Sequence, residues 1–229
     1  MVHEASDIAG GRLSGPIFTD RQQAGRQLAE QLQRFGSESP VVLALPRGGV
    51  PIGFEVAKQL EAPLDLVLVR KIGVPFQREL AYGAIVDGEQ PQIVVNEDVE
   101  AFLHLSKEFL DEQSKRELAE IARRRELYLA GRPRPGIEHR TVLVVDDGIA
   151  TGMTVRASLK ALRRGGAKKL VLAVPVAPED TIKKLHEDAD EIVCLATPRH
   201  SYAISQFYRD FDQVSDDEVV SLLKQSSPD

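Results

Sequence analysis

The segment Val142-Leu143-Val144-Val145-Asp146-Asp147-Gly148-Ile149-Ala150-Thr151-Gly152-Met153-Thr154 decides the fold of this chain. Its four leading apolar residues are typical of a strand that is buried on both faces. Two carboxylates end this run, and a loop rich in Gly and Thr leads into a helical pattern that begins at Thr154. The segment therefore predicts a buried strand, a tight loop and the first turn of a helix.

The same alternation of strand and helix recurs on both sides of this segment. Short β-rich runs occupy residues 41–45, 64–69, 141–145, 169–174 and 191–195, and helical patterns occupy residues 20–35, 51–60, 154–164 and 179–186. Thr19 and Gln22 have the spacing of a capping box at the first helix. We therefore expect an α/β fold with a doubly wound, mostly parallel sheet flanked by helices.

Two regions break the alternation. Residues 79–95 are predicted to form a mobile antiparallel flap that turns at Asp87-Gly88, and Glu97 to Leu129 are predicted to form one or two helices. The long helical stretch mixes basic and acidic residues, which favours a solvated helix face, with a nucleic-acid or partner surface as the alternative.

The length of 229 residues suits one domain with additions. We assign residues 1–17 to a flexible lead-in and 18–229 to the domain. Within it, residues 97–135 form a helical insertion, 197–212 a small C-terminal hood and 213–229 a C-terminal helix.

Composition limits the classes of function. A formal charge of -6 argues against a dedicated nucleic-acid binder, and 42% hydrophobic residues are enough for a sizeable core. Cys194 is the single cysteine, so no disulfide can form within the chain. The N-terminal residues lack a signal-peptide pattern, and Leu170 to Ala177 is too short an apolar run to span a bilayer. A cytoplasmic protein that does not insert in membranes is expected.

The loop after the two acids suits a phosphorylated sugar. Backbone N–H groups at a helix N-terminus and the hydroxyls of Thr151 and Thr154 can bind a phosphate, and the two carboxylates can accept hydrogen bonds from ribose hydroxyls. The plainer alternative is that these residues only cap the helix. A Walker A loop is disfavoured because no Lys follows Gly152, and Gly48-Gly49 with Gly53 lacks the Rossmann spacing.

The acidic segment resembles the 5-phosphoribosyl-1-pyrophosphate (PRPP) signature of type I phosphoribosyltransferases. The resemblance implies that Asp146 and Asp147 hold the ribose 2- and 3-hydroxyls and contribute to magnesium binding, in part through those hydroxyls and water. It also implies that the following loop binds the 5-phosphate through Gly148, Ile149, Ala150, Thr151, Gly152, Met153 and Thr154.

Two further segments are similar to parts of that family. Pro46-Arg47-Gly48-Gly49 resembles the pyrophosphate loop, in which the two glycines permit strained dihedral angles and the arginine adds charge. Val69 to Gly83 resembles the mobile catalytic loop of adenine-type members. This implies substrate binding by Arg70, contact of Lys71 with pyrophosphate and a catalytic role for Glu79, where solvated surface charges are the alternative.

The hood resembles the family's cover over the acceptor. Its aromatic residues Tyr202, Phe207, Tyr208 and Phe211 could stack on a heterocycle, or they could anchor the segment to the core.

The resemblance as a whole implies a magnesium-dependent phosphoribosyltransferase of nucleotide metabolism, working as a homodimer on PRPP. It would move the phosphoribosyl group to a small nitrogen acceptor and release pyrophosphate. Ala150 stands where 6-oxopurine members carry an acid, so a 6-aminopurine or related ring ranks above hypoxanthine or guanine. The alternative is a PRPP-sensing regulator of nucleic acid or a protein partner, which only the arginine cluster at residues 123–140 supports.

Overall fold

The fold is built on a parallel sheet of five buried strands. The computed structural model describes residues 16–74, 77–88, 91–103, 105–199 and 203–226, and the side chains within them except those of residues 77–81, 97 and 98. The strand order is β2-β1-β6-β7-β8, with every neighbouring pair parallel. The strands are β1 (Val41–Ala44), β2 (Leu64–Leu66), β6 (Thr141–Val145), β7 (Lys169–Val176) and β8 (Glu191–Ala196).

Helices cover both faces of this sheet. On one face alternate strand residues such as Val42 and Leu143 pack with α1, α2 and α7, while on the other face Val41 and Val142 pack with α5 and α6. The predicted doubly wound fold is therefore confirmed. The helices are α1 (Arg21–Leu32), α2 (Gly49–Leu60), α3 (Glu97–Glu100), α4 (Lys107–Leu129), α5 (Met153–Arg164), α6 (Glu179–Leu185) and α7 (Asp216–Gln225).

A second, antiparallel sheet contains the predicted flap of residues 79–95 together with one further strand. Its strands are β3 (Val69–Val74), β4 (Gln77–Val86) and β5 (Gln92–Val95), in the order β3-β4-β5. The sequence predicted the second hairpin but assigned residues 64–69 to one strand and missed β3. Residues 64–69 belong to two different sheets, since β2 pairs with β1 in the parallel sheet whereas Val69 pairs with Val86 in the antiparallel sheet.

The first helix begins one residue later than the capping box at Thr19 predicted. Asp20 is the N-cap, and its Oδ1 accepts a hydrogen bond of 2.7 Å from the Gln23 backbone N–H. The Gln23 side chain in turn accepts from the backbone N–H of Thr19 at 2.5 Å. The prediction of Thr19 as the cap was wrong because the neighbouring Asp supplies the side-chain acceptor.

Buried charges connect α4 to the sheets. The Asp87 carboxylate, with 4% of its side chain exposed, accepts from Arg125 at 3.0 Å and from Arg134 at 2.5 Å. Arg125 also donates to Asp65 in β2, at 3.1 Å. These contacts fix the second sheet, α4 and the loop after it relative to the parallel sheet. No helix in the described ranges is long and apolar enough to cross a membrane.

The buried carboxylate gives a test of this packing. Asp87→Ala should lower the free energy of unfolding by about 3–5 kcal/mol, because two arginines lose a buried partner. Urea unfolding measures the change, and Asp180→Ala, at a side chain that is 84% exposed, is the matched control that should change stability little. Equal stability of the two variants would show that this network does not hold the second sheet.

Candidate functional site

The two acids lie at the carboxyl end of β6, with different surroundings. Asp146 Oδ1 accepts a hydrogen bond of 2.9 Å from the backbone N–H of Asp147. Asp146 also lines a cleft at this edge of the sheet. Burial raises the pKa of Asp146 well above its usual range, and the neighbouring Asp147 charge raises it further. The surroundings thus raise the pH at which Asp146 ionises, and a bound cation would oppose that shift.

Asp147 is paired within the protein. Its Oδ2 accepts from Arg21 Nε at 2.8 Å, and its backbone carbonyl accepts from the Tyr208 hydroxyl at 2.6 Å. Burial raises the pKa of the Asp147 carboxyl, while the Arg21 guanidinium opposes this shift. Arg21 also donates to the Asp212 carbonyl at 2.7 Å and lies 3.8 Å from the centroid of the Phe211 ring. One side chain of α1 therefore joins the second acid to the hood.

The turn after β1 needs glycine for space. A Cβ on Gly48 would lie 2.0 Å from Asp147 Oδ2, and one on Gly49 would lie 2.7 Å from the Val145 carbonyl oxygen. Gly48 has φ −60° and ψ −34°, which any residue adopts, so the prediction that it serves strained dihedral angles was wrong. The Pro46–Arg47 peptide bond is cis. The two glycines let the predicted pyrophosphate loop pack directly against the acids.

The loop after the acids leads into an N-terminus without a side-chain cap. Gly152 is the N-cap of α5 with φ 76°, and no described side chain accepts from the first turn. The loop is held from behind, since Ile149 is buried and Thr181 Oγ1 donates to the Ala150 carbonyl at 3.0 Å. Thr151 is exposed. The alternative that these residues only cap the helix is not supported by the described contacts, and the amides remain available to an anion.

The cleft lies between the ends of β1, β2 and β6 and one face of α4. It has a volume of about 230 Å³, and its apolar lining residues are Leu45, Pro46, Val67, Leu68, Val69 and Ile121. The charged or hydroxyl side chains on its walls are Arg70, Arg124, Asp146 and Thr154. The structure thus brings together the predicted Asp146, Thr154 and Arg70, next to the turn that begins at Pro46.

Two predicted cations lie outside this cleft. Arg47 belongs to the predicted pyrophosphate loop, and its Nη1 is 3.5 Å from Asp216 Oδ1 in α7. Lys71 is exposed on β3, where successive side chains point to opposite faces, so Arg70 rather than Lys71 faces the cleft. Arg70 Nε donates to Glu117 at 2.7 Å. The contact of Lys71 with pyrophosphate therefore stays a prediction, since Lys71 is not among the residues that line the cleft.

Some predicted residues lie outside the described side chains or within the core. The side chain of Glu79, on β4, and the residues Pro75 and Tyr202 are outside the described set. Phe207 and Tyr208 are 2% and 4% exposed. They pack in a hydrophobic cluster with Phe18, Ala24, Val176 and Ala196. Their rings are therefore not open to a ligand in this structure, and the anchoring alternative accounts for both. Met153 is 37% exposed at the start of α5.

Four residues of the site were not predicted from the sequence as site residues. Arg21 pairs with an acid 126 residues away, which no local pattern indicates. Arg124 lines the cleft but was assigned to a solvated helix face. The other two are Asp216 and Tyr128. Asp216 accepts a hydrogen bond of 2.7 Å from the Tyr128 hydroxyl and lies 3.5 Å from Arg47. The Tyr128 hydroxyl, the Arg47 charge and the Arg124 charge lower the pKa of Asp216, in that order.

The residues present fit a cation that is held mainly by substrate. Within the described ranges, no three His, Cys, Asp or Glu side chains group into a metal site. Magnesium typically uses one or two protein carboxylates together with substrate phosphates and water. Asp146, partly buried and facing the cleft, is the carboxylate suited to that arrangement, since Asp147 is paired with Arg21.

Comparison with known proteins adds a family and relatives. The family model described as phosphoribosyl transferase domain matches residues 18–212. MT0597 and Rv0571c, from the CDC 1551 / Oshkosh and ATCC 25618 / H37Rv strains of Mycobacterium tuberculosis, are each 50% identical over 213 residues, or 93% of this chain. Their curated names give phosphoribosyl transferase as a provisional designation. The chain spans 48% of each, or about half the length of these relatives.

A solved structure matches over almost its whole length. TT1426 from Thermus thermophilus is 37% identical, with a TM-score of 0.80, over 92% of this chain and 99% of that one. The two-sheet architecture is therefore shared with a protein of nearly the same extent.

The raised pKa of Asp146 leads to a pH-dependent prediction for the protein without PRPP or divalent cation. The folded state retains a proton that the unfolded chain loses at about pH 3.9, so wild-type stability falls as pH rises from there through the folded-state pKa. Asp146→Asn removes this cost. Its free energy of unfolding should match wild type near pH 3 and exceed it by a margin that grows as the pH rises toward 8.

Asp190→Asn is the control with the opposite sign. Burial alone would raise the pKa of Asp190, but hydrogen bonds from the Leu170 N–H and from Arg163 lower it. This variant should be less stable than wild type at neutral pH, with a deficit that disappears on acidification. Urea unfolding from pH 3 to pH 8 measures both differences. An Asp146→Asn difference that is independent of pH would contradict the assigned cause.

Proposed function

Because the chain belongs to the phosphoribosyl transferase domain family, we propose that it moves the 5-phosphoribosyl group of PRPP to a nitrogen acceptor and releases pyrophosphate. The observation that carries this proposal is that an acid, a helix N-terminus and a glycine turn meet at one edge of the parallel sheet. Asp146 faces the cleft, the uncapped N-terminus of α5 follows it, and Gly48-Gly49 pack against the acid pair. These are the places where the ribose, the 5-phosphate and the pyrophosphate of PRPP would bind.

The proposed reaction is a displacement at the ribose anomeric carbon. The bond from that carbon to the pyrophosphate oxygen breaks, a bond to the acceptor nitrogen forms, and the acceptor loses one proton to a base or to water. Positive charge develops on the sugar and negative charge on the leaving group. Fixed charges and dipoles aimed at these atoms are the main means by which a protein can accelerate such a step.

The backbone and hydroxyls after β6 would bind the 5-phosphate. The first-turn amides of α5 have no described side-chain acceptor, and the helix dipole favours an anion there. Thr151 is exposed and Thr154 lines the cleft, so both hydroxyls are placed to donate. Ile149 would contribute only backbone groups because its side chain is buried.

The two acids would have different roles. Asp146 would accept hydrogen bonds from the ribose hydroxyls and lie beside magnesium, which, when bound, would neutralise charge on the pyrophosphate. Asp147 would act through Arg21, since its carboxylate is already used by that guanidinium. The sequence predicted that both carboxylates hold the sugar, whereas this proposal assigns direct contact to Asp146 alone. Charge brought by the cation would also favour ionised Asp146.

The alternative of a nucleic-acid-binding regulator finds no support in the arginine cluster. Each of its six arginines has a partner inside the protein: Glu120 for Arg123 and Arg124, Asp87 for Arg125 and Arg134, Leu223 O for Arg132, and Ser39 O for Arg140. A broad basic face with unused donors would be needed for phosphate contacts along a nucleic acid. We therefore propose an enzyme, with a homodimer as its expected assembly.

Turnover tests the proposal directly. With PRPP, magnesium and a panel of nucleobases and small amines, phosphorus NMR should show pyrophosphate release that depends on one acceptor. Arg47→Ala should lower kcat by about a hundredfold, because loss of a leaving-group cation acts mainly in the transition state. Arg26→Ala, at a half-exposed helix arginine, is the control that should keep kcat. Full turnover by the Arg47 variant would contradict the assigned role.

Ala150 gives a prediction for the acceptor. Its exposed methyl group can neither accept nor donate a proton, so adenine or a related 6-amino ring should turn over faster than hypoxanthine or guanine. If Glu79 takes the acceptor proton, Glu79→Gln should lower kcat and remove the acid limb of its pH profile. Efficient use of hypoxanthine with adenine inactive, and with Glu79→Gln unaffected, would contradict this assignment.

A further inference from the structure

Arg124 gives the cleft a cation that the sequence places in a solvated helix. It lies on α4, and its side chain lines the cleft together with Asp146 and Thr154. Arg124 Nε donates to Glu120 Oε1 at 2.8 Å, and 31% of its side chain is exposed. A guanidinium that faces a cleft between strand ends has a different role from one that faces bulk solvent.

The adjacent Arg123 provides a direct contrast. Arg123 Nε also donates to Glu120, at 2.8 Å, but 59% of its side chain is exposed and it does not line the cleft. Hydrogen bonds from these two arginines lower the pKa of Glu120 to about 2, so Glu120 is ionised at neutral pH. One carboxylate thus compensates two guanidiniums, which leaves a net positive charge at this position.

A second carboxylate near Arg124, that of Asp216, also has more than one partner. The single carboxylate of Asp216 accepts from the Tyr128 hydroxyl at 2.7 Å and lies 3.5 Å from Arg47 Nη1. Burial raises the pKa of Tyr128 to about 12, and the charges of Arg124 and Arg47 both oppose that rise. The Tyr128 hydrogen bond, the Arg47 charge and the Arg124 charge lower the pKa of Asp216. Arg47 and Arg124 are therefore near the same acid, and together the two pairings hold more positive than negative charge.

The position of the cleft indicates which part of PRPP this charge faces. Its walls come from the turn after β1, the segment 67–70 after β2 and α4. The described hood residues 203–212 do not line it; they pack at the other side of the acids, where Tyr208 bonds to Asp147. On the proposed function, the part of the cleft that adjoins Pro46 and Arg70 would therefore be the leaving-group side, away from the predicted cover of the acceptor.

We propose that Arg124 is a further substrate-binding residue, which binds the pyrophosphate group of PRPP together with Arg47. The proposal rests on the proposed function, since it assigns a residue to one end of the same substrate. Glu120 orients the guanidinium of Arg124 through its Nε and leaves its other N–H donors for phosphate oxygens. On binding, pyrophosphate would take over the Arg47 donor that now lies at long distance from Asp216.

Calorimetry with two ligand fragments tests the proposal on the full chain. Inorganic pyrophosphate with magnesium probes the leaving-group side, and ribose 5-phosphate probes the phosphate loop after β6. Arg124→Gln should weaken pyrophosphate binding by about 10- to 100-fold, the usual effect of losing a hydrogen bond to a charged group. Its affinity for ribose 5-phosphate should fall by much less, because the 5-phosphate is assigned to the loop after β6 and the first turn of α5 rather than to α4.

Arg123→Gln is the matched control, because it removes the same charge from the same carboxylate on the solvent side. It should bind both fragments as wild type does, and thermal unfolding should show both variants folded. Equal loss of pyrophosphate affinity in the two variants, or equal loss of both fragments in Arg124→Gln, would overturn the assignment of Arg124. Failure of the wild-type protein to bind PRPP or either fragment would instead refute the proposed function, and this assignment with it.

Discussion

Arg21 donates to Asp147 at the point where two carboxylates stand side by side at the end of a buried strand. Two adjacent, partly buried acids would otherwise repel each other and lose part of their hydration, and burial does raise the pKa of both. The guanidinium compensates one of them. The other, Asp146, is left facing the cleft without a side-chain cation in hydrogen-bond contact among the described groups, and this asymmetry between the two acids allows one of them to serve a ligand.

Close packing around the acids follows from the same arrangement. The carboxylate of Asp147 lies where a side chain on residue 48 would have to be, so a glycine is required at that position. The turn after β1 can then approach the end of β6, with Pro46 lining the cleft and Arg47 beside Asp216. The contact between two strand ends thus fixes the relative positions of the predicted pyrophosphate and phosphate loops, in a way that hydrophobic packing of the strands alone would not.

The sequence was sufficient for the parallel sheet, because apolar runs and Gly-rich turns are local signals. It also located the two acids at the end of a strand and the loop that leads into α5, which lie within thirteen consecutive residues. It could not predict the Arg21–Asp147 pair, because its partners are 126 residues apart. It also could not distinguish Arg123 from Arg124, since both sit on one helix and pair with Glu120, and only tertiary packing decides which one faces the cleft.

The aromatic hood shows a related limit of sequence reasoning. Aromatic residues are equally suited to stacking on a base and to filling a core, and Phe207 and Tyr208 fill the core here. Their function is nevertheless tied to the site, because the Tyr208 hydroxyl holds the backbone of Asp147 and Phe211 supports Arg21. A displacement of the hood would therefore disturb the partner of the second acid. If the proposed function holds, an acceptor that moves the hood would alter the charge balance at the proposed sugar site without touching either carboxylate.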